Sequence, residues 1–189
     1  MSNRSSTIAQ LRAHLSQVAP MRTSTPPIST EIPQLDAELG GWPCPGVVSI
    51  HGAIGTGRIG IVLPTLQSHT QRGCTIAIVD PLGWLHPPGL PGLNLRKLMI
   101  VRCGNERAHW AAAQLVASGA IPIVVLLDPP HLRTNAHQLI HATESGKSTL
   151  FVLTERPEIR LTASVRIKTL GQGKLKIERG APHQPVITL

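Results

Sequence analysis

VVSIHGAIGTGRIGIVL, residues 47–63, passes from a β-rich run through a glycine-rich turn into a segment of helical period. A turn of this kind lets backbone N–H groups at a helix N-terminus receive a phosphate. Two templates compete for it. The P-loop pattern GxxxxGK[ST] is met by Gly52 and Gly57, with Gly55 and Thr56 between them. Arg58 stands where the lysine should reach the phosphates, and Ile59 where a hydroxyl should hold Mg²⁺. The dinucleotide pattern GxGxxG is met by Gly55, Gly57 and Gly60, and Asp80 follows at the spacing of a ribose-binding acid. In a third reading the glycines serve only the strand-to-helix turn.

Outward from this turn, short β-rich runs alternate with helix-period segments, which is the signature of an α/β fold with a mostly parallel sheet flanked by helices. The runs predict strands at Val47–His51, Thr75–Asp80, Leu98–Arg102, Pro122–Leu127 and Thr149–Thr154. Helices are predicted near Arg58–Gln71, Glu106–Ser118 and Leu132–Ser145. Ser164–Leu170 and Lys174–Arg179 bracket Gly171–Gly173 and predict a C-terminal antiparallel hairpin. At the other end, Ile8, Leu11 and Leu15 lie at helical spacing within residues 5–18, and Pro20 stops the pattern. The stretch rich in Pro, Ser and Thr that follows reads as a linker. The chain is therefore expected to divide into an N-terminal helical arm with its linker, 1–27, and a core, 28–189.

The 189 residues are 41% hydrophobic and 15% charged, enough to bury a core. No apolar run approaches the ~20 residues of a membrane span, and the N-terminus lacks a signal-peptide stretch, so a cytoplasmic protein with no membrane contact is expected. Cys44, Cys74 and Cys103 are odd in number and far apart, which predicts small buried or half-buried thiols instead of disulfides or a zinc ribbon. The net charge is +8, and residues 150–189 carry half of it, with 7 basic against 3 acidic groups. Such a balance suits a polyanionic or acidic partner. Arg166, Lys168, Lys174, Lys176 and Arg179 of the hairpin are the candidates for that contact. With no Tyr, one Phe and three Trp, a platform stacking successive single-stranded bases has little to build on. Trp84 and Trp110 read as packing residues.

Residues 28–57, ISTEIPQLDAELGGWPCPGVVSIHGAIGTG, resemble the start of the ATPase core of RecA-like proteins, with its (S/T)-x-I-P-x-L-D-x-x-L-G-G helix, P-x-G turn, first strand and P-loop. The resemblance continues through CTIAIVDP at 74–81, LNLRKLMIVRC at 93–103, HWAAAQLVASGA at 109–120 and IPIVVLLD, which ends at Asp128. It covers about residues 28–155. Within the superfamily the chain looks most similar to ImuA-type proteins, accessories of inducible translesion DNA synthesis, which are related to the SulA-type division inhibitors.

The resemblance implies a RecA-like P-loop core and partners in the bacterial DNA-damage (SOS) response, either a polymerase-like protein or RecA itself. It also implies docking or self-association through the arm residues Ile8, Leu11 and Leu15. Hydrolysis in the family needs a P-loop lysine and hydroxyl, a carboxylate near Mg²⁺ and a glutamate that orients water. Asp128 matches the carboxylate, whereas Arg58, Ile59 and Leu82 stand at the other three positions. The expectation is a vestigial nucleotide site at Gly52, Gly55, Thr56, Gly57, Arg58 and Asp128, without catalytic residues, holding at most ATP without turnover. The segments after the fourth and fifth strands, 129–131 and 155–163, are short for gripping single-stranded DNA. Two other functions are weighed beside this one, a small NAD(P)-binding domain using Gly60 and Asp80 and a division inhibitor of the SulA type.

Three further patterns carry little weight. Gly146-Lys147-Ser148-Thr149 imitates a P-loop end but runs into a strand. His137 and His141 lie at i, i+4 on a predicted helix with His131 nearby, but no acidic or thiol ligand accompanies them, so no metal is expected. No serine sits in a GxSxG elbow.

Overall fold

The structure, a computed structural model, describes residues 25–129, 136–157 and 161–189. Ile8, Leu11 and Leu15 of the expected arm lie outside the described residues, as does the expected start of the helix near Leu132.

The first element of the described residues is α1, Pro33–Leu39, opened by a proline in its first turn and closed by Gly40 in the left-handed region. Asp36 ties the preceding loop to it, accepting from Thr30 N at 2.9 Å and from Ser29 Oγ at 3.1 Å. Trp42 follows and is wholly buried. Its ring meets Phe151 edge-on at 5.3 Å and its Nε1 donates to Thr65 Oγ1 at 2.9 Å, and Thr65 in turn donates to Thr30 O at 2.9 Å. One polar chain thus joins the opening motif to the helix after the glycine turn.

That helix is α2, Arg58–Gln71, which follows β1, Gly46–His51. The remaining elements are β2 (Ile76–Val79), β3 (Leu98–Val101), α3 (Ala108–Ala117), β4 (Ile123–Leu127), α4 (Ala136–Gly146), β5 (Thr149–Thr154), β6 (Val165–Gly171), β7 (Lys174–Arg179) and β8 (Val186–Thr188). All eight strands form one sheet in the order β3-β2-β4-β5-β1-β6-β7-β8. The first six are parallel, while β7 and β8 run antiparallel to their neighbours. The expected hairpin is present, yet its first strand pairs in parallel with β1, Val48 beside Val165, so it extends the central sheet. β8 is not visible in the sequence, because a three-residue strand with one buried side chain, Ile187, has too little period to detect.

Both faces of the parallel strands are apolar, as strands covered on two sides require. Val48, Ile50, Ile78, Val125 and Phe151 meet Ile61, Val62 and Leu66 of α2 on one face. Val47, Val79, Val124 and Val152 meet α3 and α4 on the other. Trp84 and Trp110 do not join this core. They are 68% and 63% exposed, which corrects the expectation of packing residues: Trp84 stands on the turn after β2, and Trp110 on the outer side of α3, where alanines suffice to pack the helix. Cys44 and Cys103 are half-buried as expected, whereas Cys74, in the turn before β2, is exposed.

Two glycines separate close packing from open space. A Cβ on Gly146 would overlap the carbonyl of Val116 at the end of α3, and backbone cannot move aside. A Cβ on Gly60, inside α2, would meet nothing within 4 Å. Gly146→Ala should cost about 1–3 kcal/mol, and Gly60→Ala should be neutral or stabilise by about 0.5–1 kcal/mol. Urea denaturation midpoints of the two variants check this pair.

Candidate functional site

β1 and β5 lie side by side, and their connections leave in opposite directions. After β1 the chain enters α2 on one face, while after β5 it crosses the other, where Leu161 and Ala163 are buried with α3 and α4. A crevice opens at the carboxyl ends of two strands that part in this way. Here it has a volume of about 520 Å³ between Gly52, Ala53 and Thr56 on one side and Glu155, Arg156 and Lys168 on the other.

The loop after β1 holds its shape by means that only glycine allows. Gly55 and Gly57 have φ of 84° and 90°, in the left-handed region where a side chain is strained. Gly52 lies against β6, and a Cβ there would overlap Thr169 Oγ1. Thr56 Oγ1 donates to Ala53 O at 2.6 Å, and the hydroxyls of Thr56 and Thr169 share a hydrogen bond of 2.5 Å. The loop is therefore held to β6 across the mouth of the crevice.

Arg58, in the first turn of α2, places Nη1 and Nη2 on the two oxygens of Asp128 at 2.5 and 3.1 Å. Asp128 follows β4 and is fixed by its own N–H, which donates to Leu153 O of β5 at 2.8 Å. The pair is 10% and 26% exposed. The one loop cation thus forms a planar, two-bond fork with the one carboxylate expected to support Mg²⁺. Ile59 packs against the core and offers no metal ligand. Leu82, in the turn after β2, is exposed and has no group to orient water.

No family model matches the chain. Its structure is similar to the crystal structure of the RadB recombinase, with a TM-score of 0.68 and 17% sequence identity, covering 84% of this chain and 93% of that one. The fold is RecA-like. Within it the charged residue that follows the glycine turn, Arg58, is turned onto Asp128.

The dinucleotide alternative fails on strand order. Such a site needs the acid-bearing strand beside the glycine-bearing one, but β4 and β5 stand between β2 and β1, so Asp80 ends three strand spacings, about 14 Å, from the loop. Its buried carboxylate is also engaged, accepting from Trp84 N at 3.2 Å and Leu85 N at 2.9 Å. Gly60 has no close neighbour that demands glycine.

On the hairpin, Lys168 pairs opposite Lys176 and Arg166 opposite Arg179. Lys168, Lys174 and Arg179 are exposed, Lys176 is half-buried, and Arg166 is half-buried with Nη2 donating to Leu161 O at 2.9 Å. Like charges placed directly opposite are unfavourable without an anion. Glu178, at a bulge in β7, supplies part of the compensation and lies 3.5 Å from His51 Nε2. Among the described residues no group of three His, Cys or acidic side chains is placed to hold a metal, and no helix is long and apolar enough to cross a membrane.

His51, last residue of β1, belongs to no motif in the sequence, since its surroundings are set by the distant strands β6 and β7. It is buried, and its Nδ1 has no hydrogen-bond partner. Burial pushes its pKa below the ordinary value of 6.5, Glu178 pulls it up, and Arg166 and Lys168 push it down further. The unfolded chain binds this proton at about pH 6.5 and the folded chain only below that. Stability from this group is thus complete above about pH 6.5 and is lost as pH falls toward the lowered folded value. His51→Gln should show a smaller loss of urea midpoint between pH 7.5 and 5.5 than the parent chain.

Proposed function

We propose that this chain is a non-catalytic accessory protein on a RecA-like scaffold, of the ImuA type, which supports translesion synthesis in the DNA-damage response through contacts with a polymerase-like protein or RecA. The observation that carries the reading is the Arg58–Asp128 fork. A nucleotide triphosphate with Mg²⁺ would have to separate this pair, then find neither hydroxyl at Ile59 nor glutamate at Leu82. A domain that retains the scaffold and lacks the chemistry contributes surfaces. Residues 1–27, with Ile8, Leu11 and Leu15, are proposed as the arm that docks on a partner or a second copy. The hairpin cations are proposed to meet DNA or an acidic protein. The similarity to the RadB recombinase agrees with this scaffold.

In a steady-state assay the purified protein should give no ATP turnover above background, with or without single-stranded DNA. Millimolar ATP should leave its melting temperature unchanged, because a ligand of the native state must raise it by mass action. Asp128→Ala frees Arg58 at a cost of about 1–3 kcal/mol in stability, and in that variant ATP should give a measurable rise. Turnover in the parent protein that Asp128→Ala abolishes would overturn the reading.

For the hairpin, Lys174→Ala, Lys176→Ala and Arg179→Ala together should weaken DNA binding and lower the slope of log affinity against log salt by about 2 on a single strand. Equal slopes for parent and variant would remove DNA from this surface.

A further inference from the structure

The turn after β2 displays an aromatic ring that the core does not use. The chain has three tryptophans, no tyrosine and one phenylalanine, of which Trp42 and Phe151 are buried, while Trp84 is largely exposed. Its mount is built with care for position. The buried carboxylate of Asp80 holds the N–H groups of Trp84 and Leu85, and Arg102 Nη2 donates to Leu85 O at 3.2 Å. Leu85 itself packs against the core. β2 and β3 pair with Val79 beside Val101, so the turn bearing Trp84 and the loop after β3 emerge next to each other. That loop lines a cleft of about 450 Å³ with Arg102 at one end and Arg107 at the other, both exposed. Leu82, two residues before Trp84 in the same turn, is exposed as well.

A tryptophan on a rigid support beside arginines has the composition that carries most of the energy at protein interfaces. The charges select the occupant. A second copy presenting the same face would set Arg102 and Arg107 against their counterparts in a chain of net charge +8. A single strand of nucleic acid stacks successive bases on several rings, whereas this surface has one ring and an aliphatic neighbour; Glu106 lines the same cleft and opposes any anion, so the two arginines leave a net charge of about +1 there. A peptide with an apolar anchor and nearby carboxylates satisfies the ring and both guanidiniums, and Arg102 keeps free donors beside its bond to Leu85 O.

We infer that Trp84, Leu82 and the Arg102–Arg107 cleft form a docking site for an acidic segment of a partner protein, with an apolar side chain on the indole and carboxylates on the two arginines. The site lies at the opposite end of the sheet from the basic hairpin and outside the P-loop crevice. It rests on the reading of the chain as a protein that works by contact, and adds the chemistry of one partner.

The test is selection of a random peptide display library on the full chain, followed by affinity measurement of the enriched synthetic peptides. Enriched sequences should combine an aromatic or leucine with flanking Asp or Glu. Their affinity should fall at least tenfold in Trp84→Ala and in Arg107→Glu, fall little in Trp84→Phe, stay unchanged in Trp110→Ala and weaken with added salt. Circular dichroism of each variant shows that the fold is kept. Enriched peptides without acidic residues, no enriched peptide dependent on Trp84, or equal binding by the variants would each overturn the inference. So would a concentration-dependent dimer lost in Trp84→Ala, which assigns the surface to a second copy. Saturable quenching of tryptophan fluorescence by a dT₁₂ oligonucleotide, lost in Trp84→Ala, would assign it to nucleic acid. ATP turnover alongside intact peptide docking would remove the non-catalytic reading and leave this site standing.

Discussion

Arg58 reaches across the end of β5 to Asp128, seventy residues away in sequence, and the arrangement of the carboxyl edge follows from that contact. The fork joins the first turn of α2 to the end of β4, and Asp128 N in turn bonds to β5. Three neighbouring chain ends are thereby held together. A guanidinium suits this role better than an ammonium, since its planar donors match both carboxylate oxygens at once. Such a pair is expensive to break by removing one member, because a mostly buried charge would remain without compensation. The same contact that stabilises the edge therefore engages the cation that follows the glycine turn.

Two other contacts fix the same edge. Thr56 and Thr169 connect the loop to β6, so the glycine turn is continuous with the strand that carries Arg166 and Lys168. Asp80, at the end of β2, holds the turn that presents Trp84. A carboxylate at the end of a RecA-like strand has here become a support for backbone N–H groups. Buried acids are stable in such places when backbone donors satisfy them.

Much of the fold is legible in residues 28–155. The motif from Ile32 to Gly41 has a physical reason at nearly each position: Leu35 fills the core, Asp36 closes the preceding loop, and Gly40 ends the helix. The alternating pattern locates the strands to within a residue or two, because both faces are covered and each strand is nearly all apolar. β8 was missed, since three residues carry no measurable period. Trp84 and Trp110 were misjudged for a related reason. Hydrophobicity says that a ring gains by burial, but not that smaller side chains have already filled the space beneath it.

Neighbouring residues alone settle the α/β class, the glycine turn and the absence of a hydroxyl at 59 and of a carboxylate at 82. Period 2 and period 3.6 are properties of neighbouring residues, left-handed backbone at Gly55 and Gly57 needs the absence of a Cβ, and Ile59 and Leu82 have no metal or proton chemistry in any geometry. The tertiary structure alone decided which of the remaining groups meet. Placing β5 between β1 and β4 brings Arg58 to Asp128, placing β4 and β5 between β1 and β2 keeps Asp80 from the loop, and pairing β1 with β6 sets His51 beside Lys168 and Glu178. A sequence pattern records which face of an element is apolar. Strand order and the direction of each crossover, which depend on the packing of the whole sheet, select the partners.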